Sequence, residues 1–124
     1  MKLLLDTHVL LWFLADDGRL NRPARQAIAK ADDVFVSAAS AWEIAIKVRL
    51  GKLRFEGTLS SAVTDSGFTW LPVTERHAEA TLALPDLHGD PFDRMLVAQA
   101  QREALRLLTH DEKIAAYPVD VMVV

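Results

Sequence analysis

The sequence predicts an α/β fold: a three-layer α/β/α sandwich around a five-stranded, mainly parallel sheet. Two observations predict it. Segments of strand character alternate with segments of helical character along the whole chain. The first strand segment, Lys2 to Leu5, is apolar without alternation, as in a strand buried on both faces. With 124 residues, 51% of them hydrophobic and 25% charged, the chain is expected to form a single domain over residues 1–124.

Taken in order, Lys2 to Leu5 is the first strand, ended by Asp6 and Thr7. Thr7 to Ala15 is a short helix, apolar nearly all round, and Asp16-Asp17-Gly18 stops it. Asn21 caps and Pro23 opens a second helix running to Ala31. Val34-Phe35-Val36 is the second strand, and Ser37 caps a long helix from Ala38 to about Leu50, ended by Gly51. Lys52 to Gly57 is a link with an extended stretch at Leu53-Arg54-Phe55. A weaker helix follows to Asp65, stopped by Gly67.

Thr69 to Val73 is a third strand, placed at an edge by Pro72. Thr74 caps a helix through Ala83, and Pro91 to about Glu103 is another. Leu105 to Thr109 is the fourth strand. Thr109 and Glu112 have capping-box spacing and open a one-turn helix. Asp120 to Val124 is the fifth strand.

Composition excludes several classes of function. There is no cysteine, hence no disulfide framework, thiolate metal site or cysteine nucleophile, in keeping with a cytoplasmic protein. Asp6 and His8 break the apolar start, and Val9 to Ala15 is too short to span a membrane, so neither a signal peptide nor a membrane segment is expected. The net charge of −3 argues mildly against a nucleic-acid partner. Setting aside five clustered acids, 17 Asp plus Glu become 12 against 14 Lys plus Arg, a slightly basic remainder.

The stretch His88-Gly89-Asp90-Pro91-Phe92-Asp93-Arg94 places two carboxylates in the first turn of a helix, Asp90 as N-cap and Asp93 two residues after Pro91. Asp6 ends the first strand and Asp111 follows the fourth. Glu43 lies on the helix after the second strand, on a face with Ser40 and Lys47. Each acid also has a purely structural role open to it. Asp6, Asp90 and Asp111 can cap or flank helices, and Glu43 can pair with Lys47. Acids ending strands one and four meet if those strands are neighbours, as at a topological switch point. Carboxylates so close repel unless a divalent cation neutralises them, and all-oxygen ligands select Mg²⁺ or Mn²⁺.

Asp6-Thr7 after the first strand, Glu43, Asp93 followed by Leu96-Val97-Ala98, and Thr109-His110-Asp111 together resemble the PIN-domain pattern. Within it, the stretch from His88 to Arg94 is similar to the VapC-type toxin ribonucleases of type II toxin–antitoxin systems. The resemblance spans the chain and implies a sheet ordered 3-2-1-4-5 and Mg²⁺-dependent RNA cleavage by metal-activated water. By it Asp6, Glu43, Asp93 and Asp111 are the catalytic and metal-binding acids. Thr7 and Thr109 support them, and Asp90 is a fifth acid that binds metal through water or only caps. It further implies a homodimer, and a VapB-like antitoxin whose helix enters a groove and whose arginine pairs with the acids.

Trp12 and Phe13 point about 100° apart on a helix, so an exposed aromatic is expected there as a partner interface. Trp42 and Trp70 are expected in core or interface packing. His8, His77, His88 and His110 lack metal-ligand spacing and are expected on the surface or in loops, with His110 nearest the site. Arg19, Arg22, Arg25, Lys30, Lys47, Arg49, Lys52 and Arg54 are candidate phosphate contacts or a solvated face. The alternative to a nuclease is a catalytically silent PIN-type scaffold that binds a protein or RNA, against which the complete acidic set argues. An aspartyl-phosphate phosphatase fits worse, because Asp6-Thr7-His8 lacks the second aspartate two residues on.

Overall fold

The computed structural model describes residues Met1–Val124. Five parallel strands, β1 (Lys2–Leu5), β2 (Asp33–Ser37), β3 (Thr69–Leu71), β4 (Arg106–Thr109) and β5 (Val121–Val123), form one sheet. Their order is β3-β2-β1-β4-β5, as the PIN resemblance implies. The helices are α1 (Thr7–Leu14), α2 (Arg22–Lys30), α3 (Ala38–Arg49), α4 (Leu59–Asp65), α5 (Glu75–Ala80) and α6 (Pro91–Glu103).

The unbroken apolar strands are explained by a core on each face of the sheet. Leu3 and Leu5 of β1, Val34 and Val36 of β2 and Leu108 of β4 face a core completed by α1, α2, Ile44 of α3 and Val63 of α4. Leu4, Leu107 and Phe35 face the opposite core, filled by Leu96, Val97 and Ala100 of α6 with Tyr117. The period of two thus feeds both helical layers, giving the three-layer sandwich. Fully burying one such leucine contributes roughly 1.5–3 kcal/mol.

The helix starts follow the capping chemistry. Asp6, Asn21, Ser37, Thr58, Thr74 and Asp90 are the N-caps of α1 to α6, and each side chain accepts a backbone N–H. Each such cap contributes on the order of 1 kcal/mol. Gly51 and Gly67, with φ of +73° and +80°, supply the left-handed residues that turn the chain after α3 and α4.

Five local expectations differ from the structure. Leu53 to Phe55 pairs with no strand, and β3 ends at Leu71, before Pro72. The helix after Thr74 tightens to a 3₁₀ turn at Thr81–Ala83. Thr109 and Glu112 form no capping box. The Thr109 hydroxyl is turned to Asp6, and a 3₁₀ turn forms later, at Ile114–Ala116. His77 is buried, not on the surface. Its Nδ1 accepts from Thr74 N at 3.0 Å and its Nε2 lies 3.2 Å from Glu103. No helix is long and apolar enough to cross a membrane.

Candidate active site

β1 and β4 are paired side by side at the centre of the sheet, so their carboxyl ends deliver Asp6 and Asp111 to the same place. Asp6 is 4% exposed. Its Oδ1 accepts from Val9 N at 2.8 Å, capping α1. Its Oδ2 accepts from Thr109 Oγ1 at 2.5 Å and from His110 N at 3.3 Å. Asp111 is tied locally: its N–H donates to Thr109 Oγ1 and its Oδ1 accepts from Lys113 N. Thr109 therefore holds both strand-end acids through one hydroxyl.

α6 brings the other two aspartates. Asp90 Oδ1 accepts from Phe92 N at 2.8 Å and Asp93 N at 3.4 Å, so Asp90 caps its helix as one of its two expected roles required. Asp93, in the first turn, faces the strand ends. Asp6, Asp90, Asp93 and Asp111 line a common cleft of about 560 Å³ together with His88.

Glu43 is placed beside this cleft rather than in its wall. It lies in a neighbouring shallow depression with Lys47, Asp90 and Phe92. Its Oε1 accepts from Thr7 Oγ1 at 2.7 Å, and its Oε2 lies 2.9 Å from Lys47 Nζ. Ser40 Oγ is 2.9 Å from the same Thr7 oxygen. Thr7 and Lys47 thus fix a carboxylate that is only 6% exposed.

The electrostatics are those of crowded acids. Burial pushes the Asp6 carboxyl above its ordinary value, against the hydrogen bonds from Thr109 and Val9. Asp93 is pushed up to about 7, first by burial and then by the negative charges of Asp90, Asp6 and Glu43, with His88 opposing. Carboxylates this close, with donors already fixed around Asp6, suit a hard cation with oxygen ligands. One donor atom each from His88, Asp93 and Asp111 lie within 4.8 Å of one another.

The structure corrects two assignments made from the sequence. Trp12 is 8% exposed, so it is not the exposed aromatic expected on α1. It packs at 4.8 Å against the His110 ring, with the Arg19 guanidinium 5.2 Å from its own ring. Phe13 is half-buried against Phe68 at 5.0 Å. The exposed aromatic is Trp42 of α3, 65% exposed and edge-on to Phe92, so of the two expected places, core or interface, it is not in the core. His88 is the second correction. It is no bystander loop histidine: its Nε2 lies 3.0 Å from Asp93 Oδ2 and 3.0 Å from Asp111 Oδ2. The signals for it in the sequence were its place two residues before Asp90 and at the head of the stretch His88 to Arg94.

A groove of about 760 Å³ adjoins the acidic cleft and shares His8, Trp12 and Arg19 with it. Its wall carries Arg19, Lys47, Lys52 and Arg54, four of the eight candidate phosphate contacts, beside apolar Leu11, Leu53 and Phe55. Arg25 instead braces the turn after α1 through Asp16 and two backbone carbonyls.

A parallel 3-2-1-4-5 sheet with aspartates at the ends of β1 and β4 and at the start of α6 defines a protein class, and the chain belongs to it. It is a member of the PIN-domain family, whose model matches residues 3–120. Among individual relatives it is 34% identical over 122 residues to Ribonuclease VapC22 of Mycobacterium tuberculosis (strain ATCC 25618 / H37Rv), covering 92% of this chain and 90% of that one.

The fold matches VapBC2 from Rickettsia felis, solved bound to a DNA fragment from its promoter, with a TM-score of 0.72 and 13% identity over 99% of this chain and 98% of that chain. It also matches a toxin–antitoxin complex from Klebsiella pneumoniae with a TM-score of 0.68 and 21% identity, over 98% and 96% of the two chains.

Proposed function

We propose that the chain is a metal-dependent endoribonuclease, the toxin of a type II, VapBC-like toxin–antitoxin pair, made of one PIN domain over residues 1–124 and acting in the cytoplasm. The observation that carries the reading is the convergence of Asp6, Asp93 and Asp111 in one cleft. The ribonuclease relative and the toxin–antitoxin assemblies of the same fold support it.

Asp6, Asp93 and Asp111 would hold the ion, Mg²⁺ or Mn²⁺, with Glu43 completing the negative field from beside the cleft. A divalent cation so held supplies charge neutralisation and an acidified water for in-line attack on a phosphodiester. The protein's own part is orientation. Thr109 aims the Asp6 carboxylate and anchors the Asp111 backbone. Thr7 and Lys47 hold Glu43. Asp90 fixes the start of α6, and so the position of Asp93. Without a cation, a proton on Asp93 relieves the repulsion.

The basic groove leading to the cleft suits an RNA backbone, and its apolar floor, including Trp12, suits a helix of a VapB-like antitoxin. An antitoxin arginine reaching from that groove into the cleft would pair with the acids and block the site. Phe13, next to Trp12 in α1, packs on Phe68 and lines neither the groove nor the cleft. A homodimer would cover Trp42, the exposed aromatic of α3.

Incubating the purified chain with a panel of RNAs, with Mg²⁺ or Mn²⁺ and then with EDTA, tests the reading. Discrete cleavage that EDTA stops is expected. Intact RNA under every cation condition would instead leave the silent scaffold.

A further inference from the structure

The acids account for the cleft's charge, but they leave His88 without a role. His88 Nε2 lies 3.0 Å from one oxygen of Asp93 and 3.0 Å from one oxygen of Asp111. Two ligands in adjacent positions on an octahedral ion, with bonds of about 2.1 Å, sit roughly 3 Å apart. In the cation-free cleft both spacings are ion-pair contacts of hydrogen-bond length, and both also match that octahedral edge.

The loop that presents His88 is also held in place. The Arg94 guanidinium donates to the carbonyls of Thr81 and Pro85 at 3.0 and 2.9 Å, and to Tyr117 Oη at 3.2 Å. Tyr117 Oη in turn reaches the His88 carbonyl at 3.5 Å. The backbone of the loop that carries the ring is thus braced from outside the cleft, independently of the acids the ring faces.

We propose that His88 Nε2 is a direct ligand of the divalent ion held by Asp93 and Asp111, giving the site a nitrogen donor and a preference for Mn²⁺ over Mg²⁺. The proposal rests on the cation-binding role of the cleft argued above. Mg²⁺ favours oxygen ligands and keeps its waters, whereas Mn²⁺, also an oxygen-seeking ion, exchanges a water for an imidazole nitrogen more readily than Mg²⁺ does. A neutral ring with its proton on Nδ1 offers the Nε2 lone pair.

Electron spin-echo spectroscopy of Mn²⁺ bound to the RNA-free protein reads nitrogen in the coordination shell directly. The wild type is expected to show histidine nitrogen coupling, and His88→Gln to lose it. The double variant His8→Gln/His110→Gln is expected to keep the coupling. That variant isolates His88 even if His88→Gln fails to fold, because His77 is buried against Glu103. By calorimetry, His88→Gln should weaken Mn²⁺ binding about tenfold or more and Mg²⁺ binding by less than about twofold. Bound Mn²⁺ without nitrogen coupling, or coupling lost in the double variant, overturns the proposal. Equal losses for the two ions overturn the preference. If neither ion binds the wild type, the cation role of the cleft fails first and the proposal with it.

Discussion

Thr109 Oγ1 donates a 2.5 Å hydrogen bond to Asp6 Oδ2 across 103 residues of sequence. The contact joins the ends of two adjacent strands and buries a hydroxyl against a carboxylate. The same oxygen accepts the Asp111 N–H. Replacing Thr109 by Val removes the donor at constant shape and leaves Asp6 short of a partner. The expected cost is about 1–3 kcal/mol in urea denaturation, with cleavage reduced. Thr109→Ser should recover most of both. A Val variant as stable and active as the wild type would show that the bond holds nothing in place.

Asp6→Asn, Asp93→Asn and Asp111→Asn are each expected to abolish cleavage with the fold intact. Asn at position 6 still offers an oxygen to Val9 N. Loss of the Asp93 charge should raise the melting temperature of the cation-free protein by a few degrees, since it relieves repulsion. Asp90→Asn should cost less activity, because Asn caps a helix as well. An Asp90→Asn variant as inactive as Asp93→Asn would give Asp90 a place on the metal.

The raised Asp93 carboxyl has a consequence for stability. Its value in the folded protein is about 7 against an ordinary 3.8, so the folded state keeps a proton that the unfolded chain has released. Its contribution is fully present below about 3.8 and is lost as pH rises through about 7. Melting curves in EDTA should therefore fall from pH 5 to pH 8, and the fall should be shallower in Asp93→Asn. Parallel curves for the two proteins would contradict the shift.

Much of the fold was legible because it rests on local rules. Short apolar runs, Leu3-Leu4-Leu5 and Val34-Phe35-Val36, named the central strands, and Asp6, Asn21, Ser37, Thr74 and Asp90 cap helices as their positions allowed. Asp6 and Asp111 were legible from where they fall relative to strand ends, and Asp90 and Asp93 from the start of α6. What was hidden depends on distant parts of the chain. His88 reaches the acids because Arg94 and Tyr117 set the path of its loop. Thr109 serves a strand partner rather than the helix its spacing announced. Trp42 lies on a helix face that no second layer covers, and Trp12 is covered by His110 and Arg19; a helical pattern alone distinguishes neither.

Arg94 touches none of the acids, yet it supports the loop beside them. Arg94→Lys keeps the charge and loses the fork that reaches several carbonyls at once. A loss of about 1–3 kcal/mol is expected, with faster amide hydrogen exchange over residues 81–89 and weaker cleavage. Unchanged exchange in that loop would show the clamp to be idle.

Trp42 supplies a test of assembly. Light scattering on the isolated chain should give the mass of a dimer, and Trp42→Glu should give a folded monomer. A wild-type monomer at tens of micromolar would remove the homodimer from the account.

The cleft of Asp6, Asp93 and Asp111 is proposed to cut RNA with a divalent cation. The most direct measurement follows cleavage of an end-labelled RNA by the purified chain after exhaustive chelation, before and after Mg²⁺ or Mn²⁺ is restored, with Asp93→Asn alongside. No cleavage is expected without cation, recovery on its return, and none at any cation concentration in Asp93→Asn. Cleavage that persists through chelation, or survives in Asp93→Asn, would contradict it.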